Sequence, residues 1–451
     1  MSTEKFEDEI DVDEQQLAAE EGEETVEIVK ESSFQVKDHD FYFNFYSSLQ
    51  NQANMIADVS RTGSYRKALL GNAKVAIIGK TVLDLGAGSG ILSYLSAQAG
   101  ASHVIALEAS SMAEKIEIMI RAANNGKNNP HLKDRIRLVR GMVENKNVQE
   151  QVLKTGMVDT IVSEPIGVML VHERMVESFL LARDLFLKPG GQLLPSAGHI
   201  FFCPFSDEGL YNETEQKAQF FNATLFGTDF SELYAAAREE VFAQPVVGMF
   251  PPNTLVSTPC ASKTFDFYTC KREDLLEFSI PMDFVVYRTS LVHGLASWFD
   301  LDFSPRPAPA SQDVNWNFPV APANAWQWMT QESPFNPSPT PPAPEDGISV
   351  VLSTGPDAPK THWHQARLLL PEPLAVNKGE RVTGRIDFKV NNQRSYDISL
   401  QLRVDRPGLE WDPTPLKRQT DYILQQQCFN YSYNPDTVAM GTSNLNSSFA
   451  A

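Results

Sequence analysis

Two glutamates frame the run SEPIGVMLVHE, which follows an apolar, strand-like segment at residues 158–162. Glu164 stands near the start of this run and Glu173 at its end. Two carboxylates on one glycine-containing loop can hold a planar cation through several charge-assisted hydrogen bonds, and guanidinium is the side-chain group of that shape. The pair predicts a site for an arginine side chain; the alternative is two ordinary surface acids.

A glycine turn follows the strand-like segment TVLDL. Gly86, Gly88 and Gly90 have GxGxG spacing, which lets backbone approach a ligand closely. The dinucleotide fingerprint needs Gly or Ala where this chain has Ile91. Glu108 ends the next strand-like segment, where a carboxylate can accept hydrogen bonds from ribose hydroxyls. These residues favour a mononucleoside-type ligand and make a nicotinamide-dependent dehydrogenase a poor alternative.

S-adenosylmethionine is the ligand class that we infer from these two features together. Its methyl sulfonium is a cation, and the guanidinium is a second one. Bringing both into one desolvated pocket costs several kcal/mol unless anions lie close by. The candidates to supply that negative charge are Glu164, Glu173, Glu108, Glu144 and Asp58.

The elements that must position these residues fall into two regions. Strand-like and helix-like segments alternate over residues 80–195, a rhythm typical of a parallel sheet with helices on its faces. Residues 39–70 indicate one or two preceding helices. Beyond Pro195 the pattern becomes strand alternation with Pro and Gly breaks, except for a helical stretch near 207–243. We therefore predict an α/β domain over 39–195 and a β-rich domain over 196–420.

The remaining segments are biased in composition. The first 31 residues carry 13 acidic against 2 basic side chains out of a net charge of −19, and we interpret residues 1–38 as an acidic disordered tail. Residues 304–346 form a Pro-rich insertion, and residues 421–451 an Asn/Ser-rich tail. The mildly acidic remainder argues against direct DNA binding and favours basic partners.

Targeting and cysteine patterns bound the class further. The chain shows neither a signal peptide nor a membrane-spanning run, so we expect no membrane partner. Its four cysteines are scattered without metal-site or disulfide-scaffold spacing, which predicts a reducing, intracellular location and no metal.

Four motifs occur in the order found in one family. Residues 42–46, YFNFY, fit YFxxY; the glycine turn and Glu108 come next; the two-glutamate loop follows, and residues 361–363 supply THW. Over residues 39–420 the chain resembles the protein arginine N-methyltransferases of type I. The stretches SEPIGVMLVHERMVES, LVHGLASWFD and STGPDAPKTHWHQ most resemble the coactivator-associated (type 4) histone-arginine methyltransferases. One departure is Ile166-Gly167-Val168, where the family commonly has Met-Gly-Tyr.

The resemblance implies a Rossmann-like S-adenosylmethionine-dependent methyltransferase domain followed by a β-barrel-like domain, with residues 207–243 as a dimerisation arm. It implies that Glu164 and Glu173 clamp the substrate guanidinium and that Asp58 pairs with His362 as a proton-release route. The implied cofactor-binding residues are Gln52, Arg61, Gly86, Gly88, Glu108, Glu144 and Ser178, with Tyr42, Phe43 and Tyr46 on a helix that closes over the cofactor. Met55, Met175 and Trp363 would shape the substrate pocket.

Each of these residues also has an ordinary structural explanation. Tyr42 and Phe43 can be core aromatics, His362 a hydrogen-bonded structural histidine, and the two methionines gap fillers. The resemblance further implies methylation of arginines in histone H3 and in transcription or RNA-processing factors, giving monomethyl and asymmetric dimethyl products. It also implies a homodimer in the nucleus and cytoplasm. The competing hypotheses are a catalytically weak scaffold or coactivator that retains the fold, and a small-molecule methyltransferase.

Overall fold

A computed structural model describes most of the chain between the two ends. The described residues are 42–258, 261–306, 343–405, 416–424 and 430–431. The predicted acidic tail at 1–38 lies outside them, as do residues 307–342 of the predicted Pro-rich insertion and 432–451 of the predicted C-terminal tail.

The first region is a five-stranded parallel sheet with helices between its strands, which confirms the predicted α/β class. Its strands are β1 (Thr81–Leu85), β2 (His103–Glu108), β3 (Ile136–Arg140), β4 (Val158–Ser163) and β5 (Leu187–Leu194). The helices are α1 (Leu49–Ala57), α2 (Val59–Gly71), α3 (Ile91–Gln98), α4 (Met112–Asn124), α5 (Lys146–Leu153) and α6 (Met175–Phe186). Helices cover both faces of this sheet, and β1 is therefore almost wholly buried. Burial on both faces explains why the sequence of such a strand is mostly apolar.

The strand order is β3-β2-β1-β4-β5, so the chain changes direction of winding between β1 and β4. These two strands pair in parallel, with Leu85 opposite Ser163. Loops that leave the carboxyl ends of strands at such a switch point enclose a crevice. The glycine turn after β1 and the two-glutamate loop after β4 therefore open into the same crevice.

Two helices and a short helical segment precede the sheet. Residues 42–46 are helical, and α1 and α2 follow with Asp58 between them. Asp58 ends α1 and caps α2, since its Oδ1 accepts from the backbone N–H of Arg61 at 2.9 Å. The Asp58 carboxylate therefore stands before the first turn of α2 and acts as its N-cap.

The second region is built from two sheets, which are antiparallel except for one short parallel strand at an edge. One contains β10 (Ser257–Thr258), β12 (Glu277–Val286), β16 (Arg381–Val390), β17 (Tyr396–Asp405) and β18 (Leu416–Leu424) in the order β10-β12-β16-β17-β18. The other has the order β11-β6-β13-β15-β9-β19, with β14 beside β13. Its strands are β6 (Ala197–Phe205), β9 (Val246–Gly248), β11 (Ala261–Asp266), β13 (Ser290–Asp302), β14 (Val351–Ser353), β15 (Gln365–Val376) and β19 (Asn430–Tyr431).

Aromatic side chains join the two sheets across a shared core. Phe202 of β6 lies 6.1 Å from Phe388 of β16, and Phe265 lies 5.2 Å from Phe278, measured between ring centroids. Strand β18 runs to Leu424, four residues past the predicted boundary at 420. The physical reason is burial: Tyr422 is 1 % exposed, and its hydroxyl donates to the Leu369 carbonyl at 2.8 Å.

The stretch at 207–243 forms a helical arm. It consists of α7 (Glu208–Gln219), a hairpin of β7 (Thr224–Leu225) and β8 (Thr228–Asp229), and α8 (Tyr234–Phe242). Large apolar side chains point outward from it, at Phe220, Phe226 and Leu233.

No helix among the described residues is both long and apolar enough to cross a membrane.

Candidate active site

Glu164 begins the acid loop, residues 164–173, immediately after β4. Its Oε2 accepts a hydrogen bond from the Arg61 guanidinium at 2.8 Å, and its Oε1 accepts from the backbone N–H of Ile166 at 3.3 Å. The two side chains are only 7 % and 12 % exposed, so this is a buried ion pair. Arg61 was predicted only as a cofactor-binding residue, and its contact with Glu164 was not predicted because 103 residues separate the two.

Glu173 ends the acid loop in a strained backbone conformation. Its φ is 71°, and Met169, Leu170 and Arg174 in the same stretch also have positive φ. Residues with side chains adopt this region at a cost of about 1–3 kcal/mol each, and such strain clusters at functional sites. A bidentate ion pair between Arg174 and Glu177 holds the end of the loop, with nitrogen–oxygen distances of 2.6 and 3.0 Å.

The Glu173 carboxylate receives the Tyr46 hydroxyl, which lies 2.9 Å from both of its oxygens. Burial raises the pKa of Glu173 to about 7, the Tyr46 hydrogen bond opposes that rise, and the neighbouring Glu164 charge adds to it. The two loop acids are therefore close enough to repel each other. That is the electrostatic arrangement that favours capture of a cation.

The aromatic segment at residues 42–46 covers this acid. The Tyr42 ring lies 4.9 Å from Tyr46 and 5.2 Å from Phe43 between centroids. Burial, together with the negative charge of Glu173, raises the pKa of Tyr42 well above its ordinary value. Tyr42 and Tyr46 are therefore neutral and can donate hydrogen bonds at the acid loop. Aromatic side chains that only packed in the core would not have this role.

The glycine turn after β1 is held by two side chains predicted to bind the cofactor. Gly88 has φ 53°, and its N–H donates to Glu108 Oε2 at 2.6 Å, while Ser110 N–H donates to the other carboxylate oxygen at 2.7 Å. Gln52 Oε1 accepts from Ser89 N–H at 3.0 Å. An added Cβ on Gly88 would stand 3.0 Å from Gln52 Oε1, and the positive φ at this position also favours glycine.

Other predicted residues gather around the same turn. The Ser178 hydroxyl donates to Glu144 at 2.6 Å, which joins α6 to the loop after β3. Met175 Cε lies 2.9 Å from the point that a Cβ on Gly86 would occupy. Met55 is half-buried, and its backbone carbonyl accepts from Arg61 at 3.4 Å.

The THW loop, residues 361–363, links the two regions. Asp58 Oδ2 accepts from both the Nδ1 and the backbone N–H of His362, at 2.8 and 2.7 Å. Burial opposes ionisation of Asp58, but these bonds and the Arg61 N–H outweigh it and lower the pKa of the carboxyl. Trp363 is buried and donates Nε1–H to the Ile166 carbonyl at 3.0 Å, which anchors the acid loop.

A turn from the second region also reaches the acid loop, through residues that were not predicted to belong to the site. Arg394 donates to the Glu173 carbonyl at 3.3 Å and lies over the Tyr42 ring, 4.6 Å from its centroid. Ser395 Oγ lies 2.7 Å from His172 Nδ1. No local sequence pattern predicted the contact between Arg394 and Glu173, because the two residues are 221 positions apart.

Comparisons with known proteins match both regions. Residues 71–192 match the family described as ribosomal protein L11 methyltransferase, and residues 196–331 and 344–407 match the arginine methyltransferase oligomerization subdomain. With the glycine turn and the acid at the end of β2, the first region defines the Rossmann-like methyltransferase class.

Whole-chain relatives narrow this class. The chain is 39% identical over 368 residues to a protein of Oryza sativa subsp. indica named "Probable histone-arginine methyltransferase CARM1", covering 81% of this chain and 60% of that protein. It is 36% identical over 407 residues to "Histone-arginine methyltransferase CARMER" of Drosophila yakuba, covering 89% and 64%. The chain thus spans less than two thirds of the length of these relatives.

A solved Trypanosoma brucei structure, described as the PRMT1 enzyme-prozyme heterotetrameric complex with AdoHcy, superposes with a TM-score of 0.63. It is 28% identical and covers 84% of this chain and 100% of that one. The chain is similar to the protein arginine N-methyltransferases and, among them, to the histone-arginine methyltransferases, as the motifs predicted.

Proposed function

We propose that this protein transfers methyl groups from S-adenosylmethionine to arginine guanidinium nitrogens of basic proteins, histone H3 tails among them. Transcription and RNA-processing factors are further candidate substrates. The observation that carries the proposal is the pair of carboxylates on the loop after β4, with Glu164 bonded to Arg61 and Glu173 to Tyr46. Burial, with a further contribution from the Glu164 charge, raises the pKa of Glu173 to about 7. Relatives named histone-arginine methyltransferases support the same substrate class.

The crevice has the donors and acceptors that S-adenosylmethionine requires. Glu108 already accepts two backbone N–H groups, yet each of its oxygens has a second lone pair for a ribose hydroxyl. Arg61 has a buried Nε with no hydrogen-bond partner among the described residues, so it can donate to an incoming carboxylate. Glu144 and Ser178 are the candidates for the adenine.

When bound, S-adenosylmethionine supplies an electrophilic methyl group on a positively charged sulfur. The protein must orient the arginine and polarise it, since guanidinium is protonated in water and its nitrogens are poor nucleophiles. Glu164 and Glu173 would draw positive charge toward one edge of the guanidinium and leave the free terminal nitrogen richer in lone-pair character. Holding two reactants in near-attack geometry can supply about 7–11 kcal/mol, so positioning by the clamp is the main contribution.

Proton loss follows methylation and needs no strong base. Asp58 and His362, whose Oδ2 and Nδ1 lie 2.8 Å apart, form the candidate route for the proton. His362→Ala should lower kcat/KM by about tenfold, less than either clamp substitution. The reason is that Asp58 keeps its bonds from the backbone N–H groups of Arg61 and residue 362. Steady-state rates with an H3 peptide measure this, and a thousandfold loss would contradict the assignment.

The product is expected to be asymmetric dimethylarginine, because Met55 and Met175 match the methionines of the family's type I pocket. Bulk histones incubated with the protein and a radiolabelled methyl donor should acquire label. Fragmentation mass spectrometry of the dimethylated peptide should then show the neutral loss of dimethylamine. Symmetric losses would overturn the product assignment, and absence of label would favour the scaffold alternative.

The helical arm supports assembly into a homodimer. It exposes Phe220, Phe226 and Leu233, and residues 196–331 match an oligomerization subdomain. Burying such side chains against a second copy is favourable by roughly 25 cal/mol per Å² of apolar area. Sedimentation velocity should therefore give twice the chain mass of 50.3 kDa.

The names of the relatives support a nuclear location for this protein, and we propose that it is also present in the cytoplasm.

A further inference from the structure

The turn between β16 and β17 belongs to the second region but lies against the acid loop. It is internally braced, since Asn391 Oδ1 accepts the backbone N–H groups of Gln393 and Ser395 at 2.9 and 3.1 Å. Asn391 N–H also donates to the Ser395 carbonyl at 2.9 Å. A turn held by three local bonds can present a side chain in a fixed position.

Arg394 is the side chain that this turn presents. It has a φ of 55°, and its side chain is largely buried. The guanidinium stacks over Tyr42 and donates to the backbone carbonyl of Glu173, the residue with the strained φ of 71°. Strained backbone persists only where its surroundings hold it in place, and this bond is one such restraint.

The neighbouring contact from the same turn brings no charge to the acid loop. Ser395 Oγ bonds His172 Nδ1, and burial lowers the pKa of His172 to about 3, so that imidazole is neutral near pH 7. Arg394 is therefore the positive charge that the turn brings to the acid loop.

We propose that Arg394 is a positioning residue that ties Glu173 and the Tyr42 segment to the second region and favours the charged form of the Glu173 carboxylate. This role rests on the proposed function of Glu173 as a clamp residue. It assigns the β16–β17 turn to the substrate site, although Arg394 lies 221 residues from Glu173 in sequence.

The groups facing Glu173 come from three segments. Tyr46 and Tyr42 donate from the segment at 42–46, Glu164 adds negative charge from the end of β4, and Arg394 adds positive charge from the turn. Burial raises the pKa of Glu173, and Arg394 opposes that rise. Loss of the arginine charge should therefore shift the pKa of Glu173 further upward, by about one unit, the lower end of the effect of a nearby opposite charge.

The test is the pH dependence of kcat/KM for Arg394→Gln and Arg394→Lys between pH 6 and pH 9. The acidic limb of the profile reports the essential base of the free protein. For Arg394→Gln we expect that limb to move up by about one pH unit, with about a fivefold loss at pH 7 and less than twofold at pH 9. Arg394→Lys retains the charge and should keep the limb near its original position.

Arg385→Gln is the matched control, because it removes the same charge from an exposed position on β16. It should leave the profile unchanged. A loss in Arg394→Gln that is equal at every pH, or no loss at all, would overturn the proposal. So would an acidic limb that shifts as far in Arg394→Lys as in Arg394→Gln.

A second measurement separates this proposal from the proposed methyl transfer. Carbon-13 NMR of glutamate carboxyl groups, with Glu173→Gln to identify the resonance, reports the titration of Glu173 without turnover. An unchanged midpoint in Arg394→Gln would overturn the role of Arg394 even in an active protein. A shifted midpoint in a protein that transfers no methyl groups would support the role of Arg394 and refute the proposed function.

Discussion

Glu173→Gln is expected to lower kcat/KM for an arginine peptide by at least about a hundredfold, since truncating one partner of a buried charge pair costs 2–5 kcal/mol. Glutamine keeps the shape of the side chain and can still accept the Tyr46 hydroxyl. It removes the negative charge that would hold the substrate guanidinium. The Glu173 carboxylate is hydrogen-bonded by the neutral Tyr46, and Arg394 donates to the Glu173 backbone carbonyl, a bond that glutamine retains, so the substitution should leave the fold intact.

Initial rates with an H3 peptide at pH 8, where most of the wild-type carboxyl is ionised, give the comparison. Glu114→Gln, an exposed residue in the first turn of α4, is the control for the same change of charge. A Glu173→Gln variant that transfers methyl groups at near-normal rates would remove this residue from the clamp.

Glu164→Gln should have two effects, because Glu164 serves both the clamp and Arg61. Methyl transfer should again fall by at least about a hundredfold. In addition, Arg61 would remain buried without its carboxylate, and an uncompensated buried charge destabilises a protein by about 3–5 kcal/mol. We therefore expect the free energy of unfolding to decrease measurably for Glu164→Gln but to change little for Glu173→Gln.

Denaturant titration followed by circular dichroism measures the stability effect. The double variant Arg61→Met with Glu164→Gln removes both charges and should regain most of the lost stability without regaining activity. Glu213→Gln breaks the exposed ion pair with Lys217 on α7 and should change stability by no more than about 1 kcal/mol. Equal stability of Glu164→Gln and wild type would show that the pair with Arg61 contributes little.

The ion pair with Arg61 also defines what the clamp must do when a substrate enters. A carboxylate offers about four lone-pair positions, so Glu164 can accept from Arg61 and from a second guanidinium together. That sharing brings two positive charges close to one carboxylate. The negative charge of Glu173 then becomes necessary, which explains why its protonation state matters for the proposed reaction.

Local patterns predicted the class of fold and the ends of the strands. The run TVLDL, the glycine turn and the apolar segment before Glu164 are short-range signals, and parallel strands with their loops at one edge follow from them. Local patterns did not predict which side chains pair with each other over long sequence separations. Three such contacts join residues that are 103, 127 and 221 positions apart: Arg61 with Glu164, Tyr46 with Glu173, and Arg394 with Glu173. Local periodicity in a single sequence carries no information about contacts at these separations.

By itself the sequence determined which acids stand at the ends of which strands, and hence that two glutamates and a glycine turn share a crevice. Tertiary structure alone decided the charge state of those acids. The pKa of Glu173 depends on water excluded by the segment at 42–46, on repulsion from Glu164 and on attraction to Arg394. Burial and through-space charge are properties of the assembled site, because they arise only after three distant parts of the chain have packed together.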